Sequence, residues 1–451
     1  MLTPRRLFIA SFVTWCAGIA LGWAMACPLG GDEASYALLA RGRGDDWLYR
    51  PIGMVAFARL GAVIGDSELA VRLPSMLVAV GLVPAVYAVG RRIGPWAGAW
   101  AAAVVAGTHT FVVRGPQLLT DIPSAICILG ALVLAIDELD REDGPRYRLV
   151  MVAPVLAAAF YVRYGSAPTI AIVVVAACAL WWRVIVLRPG PVIATALVFA
   201  VLLVPFLIYS QRMTGSITGI VALSSEVAGR RYIGHGLVIY LVSNPLVYHG
   251  ALVTPLALAG IASVFRPPPQ HRRRARFLAI VGLGQFLVIG LVSHANARFI
   301  FVAIVLLLVL GVDAVDRALA ASRHRTRIIQ VSALAVVVLW VGMLAAVVPI
   351  HRKIHRGLAQ LVAAGRAIRD DAAGRPCVVI ARATPQVMWY SGCASSKPPK
   401  GFGEVAPLPA DHRWYTASTP RRGTEPEKVG GLVGADPVLL APGAWYLRPR
   451  T

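Results

Sequence analysis

The sequence predicts a mainly α-helical protein, a polytopic transmembrane helical bundle with a small C-terminal α/β domain. Of its 451 residues, 57% are hydrophobic and 15% are charged, whereas a soluble domain carries about 25% charged residues. The mean hydropathy is +0.68. Several stretches approach the 18 or more mainly apolar residues that mark a spanning helix. These observations predict insertion into a lipid bilayer.

The formal net charge of +22 comes from 44 basic and 22 acidic residues. In a soluble protein this balance would suggest a nucleic-acid partner. Here the basic residues fall mostly in short loops between apolar runs, as the retention of Lys and Arg on the cytoplasmic side predicts. We therefore expect no nucleic-acid partner.

The apolar runs predict about eleven spans. Arg5 and Arg6 precede the first run, which is long enough to span and predicts an uncleaved helix with a cytoplasmic N-terminus. Every loop that this order places inside carries Arg, and each of them except 187–190, which has Arg188 alone, carries at least two. The predicted spans cover residues 7–26, 73–89, 95–113, 122–136, 149–161, 167–186, 191–209, 246–265, 277–292, 299–312 and 328–350.

The spans divide the chain into a transmembrane catalytic module, 1–350, and an extracytoplasmic C-terminal domain, 351–451. The module has two long outer loops, 27–72 and 210–245, and the first has the amphipathic pattern of short interfacial helices. The C-terminal domain is rich in Pro and Gly, and its sequence predicts a helix over 355–369 followed by a few strands. Its Cys377 and Cys393 are a candidate disulfide, worth about 3 kcal/mol in the chain-entropy model and persistent only outside the cytosol.

Three carboxylates stand where predicted spans meet the outer surface. Asp32 and Glu33 follow the first span, and Asp121 begins the fourth. Because the chain leaves few places for acids, we predict that the three meet at one membrane surface and carry chemistry there. The alternative is that they cap helices, since acidic side chains are favoured at helix N-termini.

Arginines on the predicted outer side run against the usual charge bias. Several such residues near helix ends suggest an anionic ligand such as a phosphate, held by forked guanidinium donors. The alternatives are structural pairing with the outer carboxylates and snorkelling to lipid headgroups. The residues are Arg50, Arg72, Arg114, Arg163 and Arg298.

The histidine spacing matches no zinc motif. The sequence contains no GxGxxG, P-loop or GxSxG motif. Nucleotide-sugar chemistry on a soluble dinucleotide-binding domain is therefore not expected.

Several motifs together resemble the GT-C glycosyltransferases, and within them the protein O-mannosyltransferase and aminoarabinose (lipid A) transferase group. Their order, spacing and membrane position agree. They are GDEASYA at 31–37, GDSELAVRLPS at 65–75, GRRIG at 90–94, LTDIP at 119–123 and RFI at 298–300.

The resemblance implies an integral membrane hexosyl- or pentosyltransferase of a bacterial cell membrane. Such enzymes move a sugar from a polyprenyl-phosphate donor to an acceptor hydroxyl on the extracytoplasmic face, usually with inversion, and the acceptor is a glycan, lipid or protein. By position Asp32 is the candidate general base, and Glu33 and Asp121 would orient the acceptor or the base. Arg163 and Arg298 are the candidate contacts for the lipid phosphate, with Arg72 and Arg50 as further candidates.

Two points stay open. Relatives often have Lys/His-Pro-Pro in the first outer loop, where this chain has YRPI at 49–52, which leaves the contacts there open. Some relatives bind a divalent metal ion at the acidic cluster and others do not, so no cofactor is certain and Asp32 and Asp121 are the candidate ligands.

The competing function is a transporter or translocase of a lipid-linked sugar, which predicts ionisable residues within spans and repeat symmetry.

Overall fold

The structure is a computed structural model of the 451-residue chain. It describes residues 2–43, 49–141, 143–227, 232–243, 253–263, 272–320, 322–396, 412–417 and 426–449. The described elements are mainly helices, with a small sheet near the C-terminus, and this confirms the predicted fold class.

Most of the described helices precede residue 321, and three helices follow it. The first series is α1 Pro4–Ala24, α2 Gly31–Ala40, α3 Ile52–Ile64, α4 Glu68–Ala79, α5 Leu82–Arg91, α6 Pro95–Gly107, α7 His109–Val112, α8 Asp121–Leu139, α9 Val152–Val162, α10 Ala167–Leu187, α11 Pro189–Thr214, α12 Gly219–Val227, α13 His235–Val238, α14 Val253–Ser263, α15 Arg272–Val292 and α16 Phe301–Ala320. The others are α17 Arg325–Ala372, α18 Thr384–Ser391 and α19 Pro426–Val433.

Within the described residues, 8 helical segments are long and apolar enough to cross a membrane. They are Pro4–Ala24, Glu68–Arg91, Asp121–Leu139, Tyr164–Leu187, Pro189–Thr214, Arg273–Val292, Ala297–Ala320 and Arg325–Ala372. Shorter apolar helices cover Ile52–Ile64, Tyr147–Val162 and Val253–Ser263. The count of eleven spans stays a prediction, and part of the predicted span 246–265 lies outside the described residues.

Two predicted elements differ in extent from the helices observed. The helix predicted over 95–113 stops at Gly107, because Thr108 is extended, with φ −88° and ψ 118°. The helices predicted separately over 328–350 and 355–369 are one 48-residue helix, α17. Polar residues after Ile350 end the hydrophobic run without ending the helix, since helical φ and ψ angles do not require an apolar side chain.

The chain divides into two compact units. The first, here called the bundle unit, comprises residues 1–23, 48–54 and 73–347. The second, here called the C-terminal unit, comprises residues 24–47, 55–72 and 348–451. The domain division at residue 350 stays a prediction. The C-terminal unit includes helix α2 and residues 55–64 of α3, which belong to the predicted first outer loop.

Glycines permit close helix packing in the bundle unit. A Cβ on Gly311 of α16 would lie 1.7 Å from the Leu256 carbonyl oxygen of α14. A Cβ on Gly260 of α14 would lie 2.3 Å from the Leu307 carbonyl oxygen. Both distances are below any real van der Waals contact, so these helices approach as closely as small residues allow in membrane helix pairs.

A mixed sheet forms the core of the C-terminal unit. Its strands are β1 Cys377–Ile380, β2 Ala394–Ser396, β3 Arg413–Ala417, β4 Ala435–Ala441 and β5 Ala444–Pro449, in the order β2-β1-β3-β5-β4. Strand β1 pairs in parallel with β2 and β3, while β5 pairs antiparallel with β3 and β4. Cys377 and Cys393 form a disulfide.

Candidate functional site

The side chain of Asp121 lies in the bundle unit at the first position of α8. It is 2% exposed and forms ion pairs with two arginines. Arg163 Nη1 lies 2.5 Å from Asp121 Oδ1, and Arg298 Nε lies 3.6 Å from Asp121 Oδ2. Pro123 occupies the first turn of α8, where the missing N–H of proline costs no hydrogen bond. Thus Asp121 begins its helix, as the capping alternative expected, and also joins two of the predicted phosphate-binding arginines.

Local backbone structure presents both arginines to Asp121. Arg163 follows the last residue of α9 in extended conformation, with φ −153° and ψ 106°. Arg298 lies in the short 3₁₀ turn Ala297–Ile300, and its backbone N–H donates a hydrogen bond to Asn296 Oδ1 at 3.3 Å. The Phe299 ring lies 4.8 Å from the Arg163 guanidinium carbon and 5.6 Å from that of Arg298. A ring beside two cations favours both by cation–π attraction.

The cluster carries two cations and one carboxylate, so its local charge is positive. A buried carboxylate without partners would be costly, and the guanidinium groups offset that cost. The space beside Asp121 that a water-sized sphere can occupy measures about 10 Å³, which is room for roughly one water molecule. The side chains of Arg163 and Arg298 are 16% and 17% exposed, so part of each side chain reaches the surface of the unit, while Arg298 Nε is buried.

This cluster is a poor site for a divalent cation. Guanidinium nitrogens at 2.5 Å and 3.6 Å from the two Asp121 oxygens occupy the positions that a metal ion would need and repel it. Within the parts of the chain that the structure describes, no three His, Cys, Asp or Glu side chains are grouped to hold a metal ion.

Glu33 lies in the C-terminal unit, at the third position of α2, and its carboxylate is fully engaged. Oε2 accepts a hydrogen bond from the Gly30 N–H at 2.8 Å, which caps the helix. Arg72 donates to both carboxylate oxygens, at 2.7 Å and 2.8 Å. Arg72 also donates to the carbonyl oxygens of Cys27 and Pro28. These contacts favour a structural role for both side chains and leave Arg72 little capacity for a phosphate.

Asp32 stands one residue earlier, in the first turn of α2, and is half-buried. In the bundle unit, Arg50 is also half-buried, and its guanidinium carbon lies 4.9 Å from the Tyr49 ring. Arg114 donates to the Gln117 side chain at 2.8 Å. The convergence of Asp32 and Glu33 with Asp121 stays a prediction.

Sequence reasoning missed Gln285, which lines the space beside Asp121. Its Oε1 accepts a hydrogen bond from the Ala303 N–H at 2.6 Å and so ties α15 to the start of α16. A polar amide inside an apolar helical run was the available signal, because such residues are costly in a membrane unless they are paired.

A family model described as dolichyl-phosphate-mannose-protein mannosyltransferase matches residues 49–209. A search of the curated proteins found no match. Among solved structures, ArnT from Cupriavidus metallidurans bound to undecaprenyl phosphate is similar, with a TM-score of 0.66 and 13% identity over 98% of this chain and 97% of ArnT. The chain has the GT-C fold.

A second GT-C neighbour is the oligosaccharyltransferase AglB from Archaeoglobus fulgidus, in complex with an inhibitory peptide and a dolichol-phosphate. Its TM-score is 0.55 at 12% identity, and the match covers 89% of this chain and 65% of AglB. The GT-C resemblance seen in the sequence motifs is therefore confirmed. The family match and the fold together support a membrane glycosyltransferase of the GT-C type.

Proposed function

We propose that this GT-C protein transfers a sugar from a polyprenyl-phosphate donor to an acceptor hydroxyl on the extracytoplasmic face of a bacterial membrane, with inversion. The sugar is a hexose or a pentose, and the acceptor is a glycan, a lipid or a protein. Departure of a lipid phosphate from the anomeric carbon needs cations where negative charge develops. A positively charged cluster at the ends of apolar helices supplies them.

The observation that carries the proposal is the joint pairing of Arg163 and Arg298 with Asp121. Asp121 holds both guanidinium groups in place before any ligand binds, and the cluster keeps one net positive charge. Because the space beside Asp121 fits roughly one water, the phosphate would bind where the two arginine side chains reach the surface. The similar proteins ArnT and AglB have structures bound to undecaprenyl phosphate and dolichol-phosphate, which supports a lipid phosphate as ligand.

Asp32 is the proposed general base. Attack on the anomeric carbon needs a carboxylate that takes the proton of the acceptor hydroxyl. Glu33 is bound by Arg72 and by the Gly30 N–H, so its oxygens are engaged and it orients α2 instead. Asp121 orients the two arginines. The leaving lipid phosphate is a stable anion, so no strong general acid is required.

The test is incubation of the purified full-length chain with radiolabelled polyprenyl-phosphate sugars and a membrane extract. Transfer of label to a new, extractable product is expected, and analysis of that product identifies sugar and acceptor together. If no donor yields a labelled product while the donor lipid still binds, the transferase proposal is wrong. Reporter fusions after residues 47 and 451 test the proposed face, and reporters active only outside the cytoplasm should be active at both positions.

A translocase of a lipid-linked sugar is the competing function. Vesicles that contain the purified chain and a fluorescent lipid-linked sugar distinguish the two. Movement of the intact lipid between leaflets, without release of polyprenyl phosphate, would favour the translocase.

A further inference from the structure

A second polar pocket lies wholly within the C-terminal unit and has no role in the chemistry proposed so far. Its volume is about 390 Å³, which falls within the usual range for small-molecule sites. It is lined by four arginines, two carboxylates, one indole and one phenol: Arg41, Arg43, Arg366, Arg369, Asp66, Glu68, Trp389 and Tyr390, with Leu38 beside them.

The pocket keeps an excess of positive charge. Four guanidinium groups face two carboxylates, and Arg41 pairs with Asp66 at 2.5 Å. Burial and the neighbouring Arg41 charge lower the pKa of the Arg43 guanidinium. Arg366 is exposed, and no hydrogen bond or ion pair to it is found among the residues that the structure describes. An anion at this point would relieve the repulsion among the arginines.

The other groups suit hydroxyl-rich ligands. Asp66 is exposed over 90% of its side chain and can accept hydrogen bonds from hydroxyl groups. Burial and the Glu68 carboxylate raise the pKa of Tyr390, so its phenol keeps the proton. The Trp389 ring is partly exposed and has the Arg41 guanidinium carbon 4.4 Å from its centre. A site for a bare inorganic anion would not need carboxylates in its wall, whereas an anionic sugar uses both kinds of group.

Helix α2 connects this pocket to the proposed base. Asp32 lies in its first turn, Leu38 lies in its last turn, and Arg41 follows its last residue. At 1.5 Å rise per residue, residues 32 and 41 are about 14 Å apart along the helix axis. A group held in the pocket is therefore too far away to be the attacking hydroxyl, but it can belong to the same extended acceptor.

We propose that this pocket binds a phosphate- or carboxylate-bearing sugar of a glycan acceptor, away from the hydroxyl that receives the new sugar. The proposal rests on the proposed function for its choice of a glycan. It narrows the acceptor from any glycan, lipid or protein to an anionic glycan long enough to reach from the pocket to Asp32.

The test measures binding to the purified full-length chain by saturation-transfer NMR and titration calorimetry. The probes are mannose 6-phosphate, glucuronate and the neutral methyl mannoside. We expect at least one anionic probe to bind, and the neutral sugar to bind at least tenfold more weakly. The anionic probe that binds more tightly shows whether the pocket prefers a phosphate or a carboxylate. Equal binding of all three probes would overturn the proposal.

Three variants locate the binding site. Arg366→Glu should weaken binding of the anionic probe at least fivefold. Arg356→Glu, a change at an exposed arginine of the same helix α17, should leave it unchanged. Arg298→Ala tests the other cluster. Loss of anionic-probe binding in this variant, with binding kept in Arg366→Glu, would assign the anion to the Asp121 cluster and refute the proposal. Thermal unfolding of each variant confirms folding.

Binding and transfer are measured separately, so the two proposals can fail separately. Label transfer without binding of either anionic probe rejects only the anionic acceptor site. Binding that depends on Arg366 in a chain that transfers no sugar rejects only the proposed transferase.

Discussion

The Arg72 guanidinium donates two parallel hydrogen bonds to the Glu33 carboxylate, at 2.7 Å and 2.8 Å. The two side chains are 5% and 4% exposed, and they join the start of α2 to the fifth residue of α4. Removing one partner of a buried pair leaves the other charge uncompensated.

Glu33→Gln should therefore destabilise the protein strongly. The amide keeps the size of the carboxylate but not its charge, and breaking a buried pair costs about 3 to 5 kcal/mol. The measurement is the apparent melting temperature in detergent. Asp66→Asn is the matched control, because Asp66 pairs with Arg41 while 90% exposed, and exposed pairs contribute about 1 kcal/mol or less. Equal losses in the two variants would contradict the structural role of Glu33.

Asp32→Asn should abolish sugar transfer and leave folding intact. A general base contributes about 10²- to 10⁴-fold to a rate, so the transfer rate should fall by about that factor while the melting temperature stays close to that of the unmodified chain. Asp370→Asn changes an exposed carboxylate of α17 and serves as the control. Full activity of the Asp32→Asn variant would show that Asp32 is not the general base.

Arg298→Ala should raise the apparent KM for the lipid-linked sugar about tenfold or more, since hydrogen bonds to charged groups contribute about 1.5 to 3 kcal/mol. Arg298→Lys should recover part of the loss, because Lys keeps the charge without the fork. The control is Arg212→Ala, at an exposed position near the end of α11. If Arg298→Ala lowers the melting temperature but leaves the apparent KM for the donor unchanged, Arg298 has only a structural role, through its pairing with Asp121.

Alkaline pH should destabilise the C-terminal unit through Tyr415. Burial, together with the hydrogen bond that its hydroxyl donates to Asp371 Oδ2 at 2.7 Å, raises the pKa of Tyr415 to about 12. Between pH 10 and 12 the unfolded chain loses this proton while the folded chain keeps it, so the free energy of unfolding falls as pH rises.

The measurement is thermal unfolding at pH 9, 10 and 11 for the unmodified chain and for Tyr415→Phe. The variant lacks the titrating group, so its melting temperature should fall less between pH 9 and 11. Parallel curves for the two proteins would show that Tyr415 does not set the alkaline response.

Local sequence features predicted much of the fold. The apolar runs gave the helical class, the acidic residues Asp32 and Glu33 marked the start of α2, and Asp121 with Pro123 marked the start of α8. These features act within one helical turn, so a pattern of neighbouring residues is enough to identify them. The end of α6 at Thr108 and the continuity of α17 past Ile350 were missed, because hydropathy reports the membrane boundary and not the backbone angles.

The partners of the charged residues could not be predicted from the sequence. Arg72 reaches Glu33 across 39 positions, and Arg163 reaches Asp121 across 42. The basic pocket joins Arg41 and Arg43, which follow the last residue of α2, with two arginines of α17. No local rule selects such pairs, since which arginine meets which carboxylate depends on how distant helices pack.

The oxidation state of Cys377 and Cys393 indicates the compartment in which the chain folded. The two sulfurs become linked only where the surroundings are oxidising, and the bond then survives extraction if free thiols are blocked at once. Counting the thiols that accept a maleimide mass tag before and after reduction would therefore report, from cells that carry the untagged protein, on which side of the membrane the C-terminal residues matured.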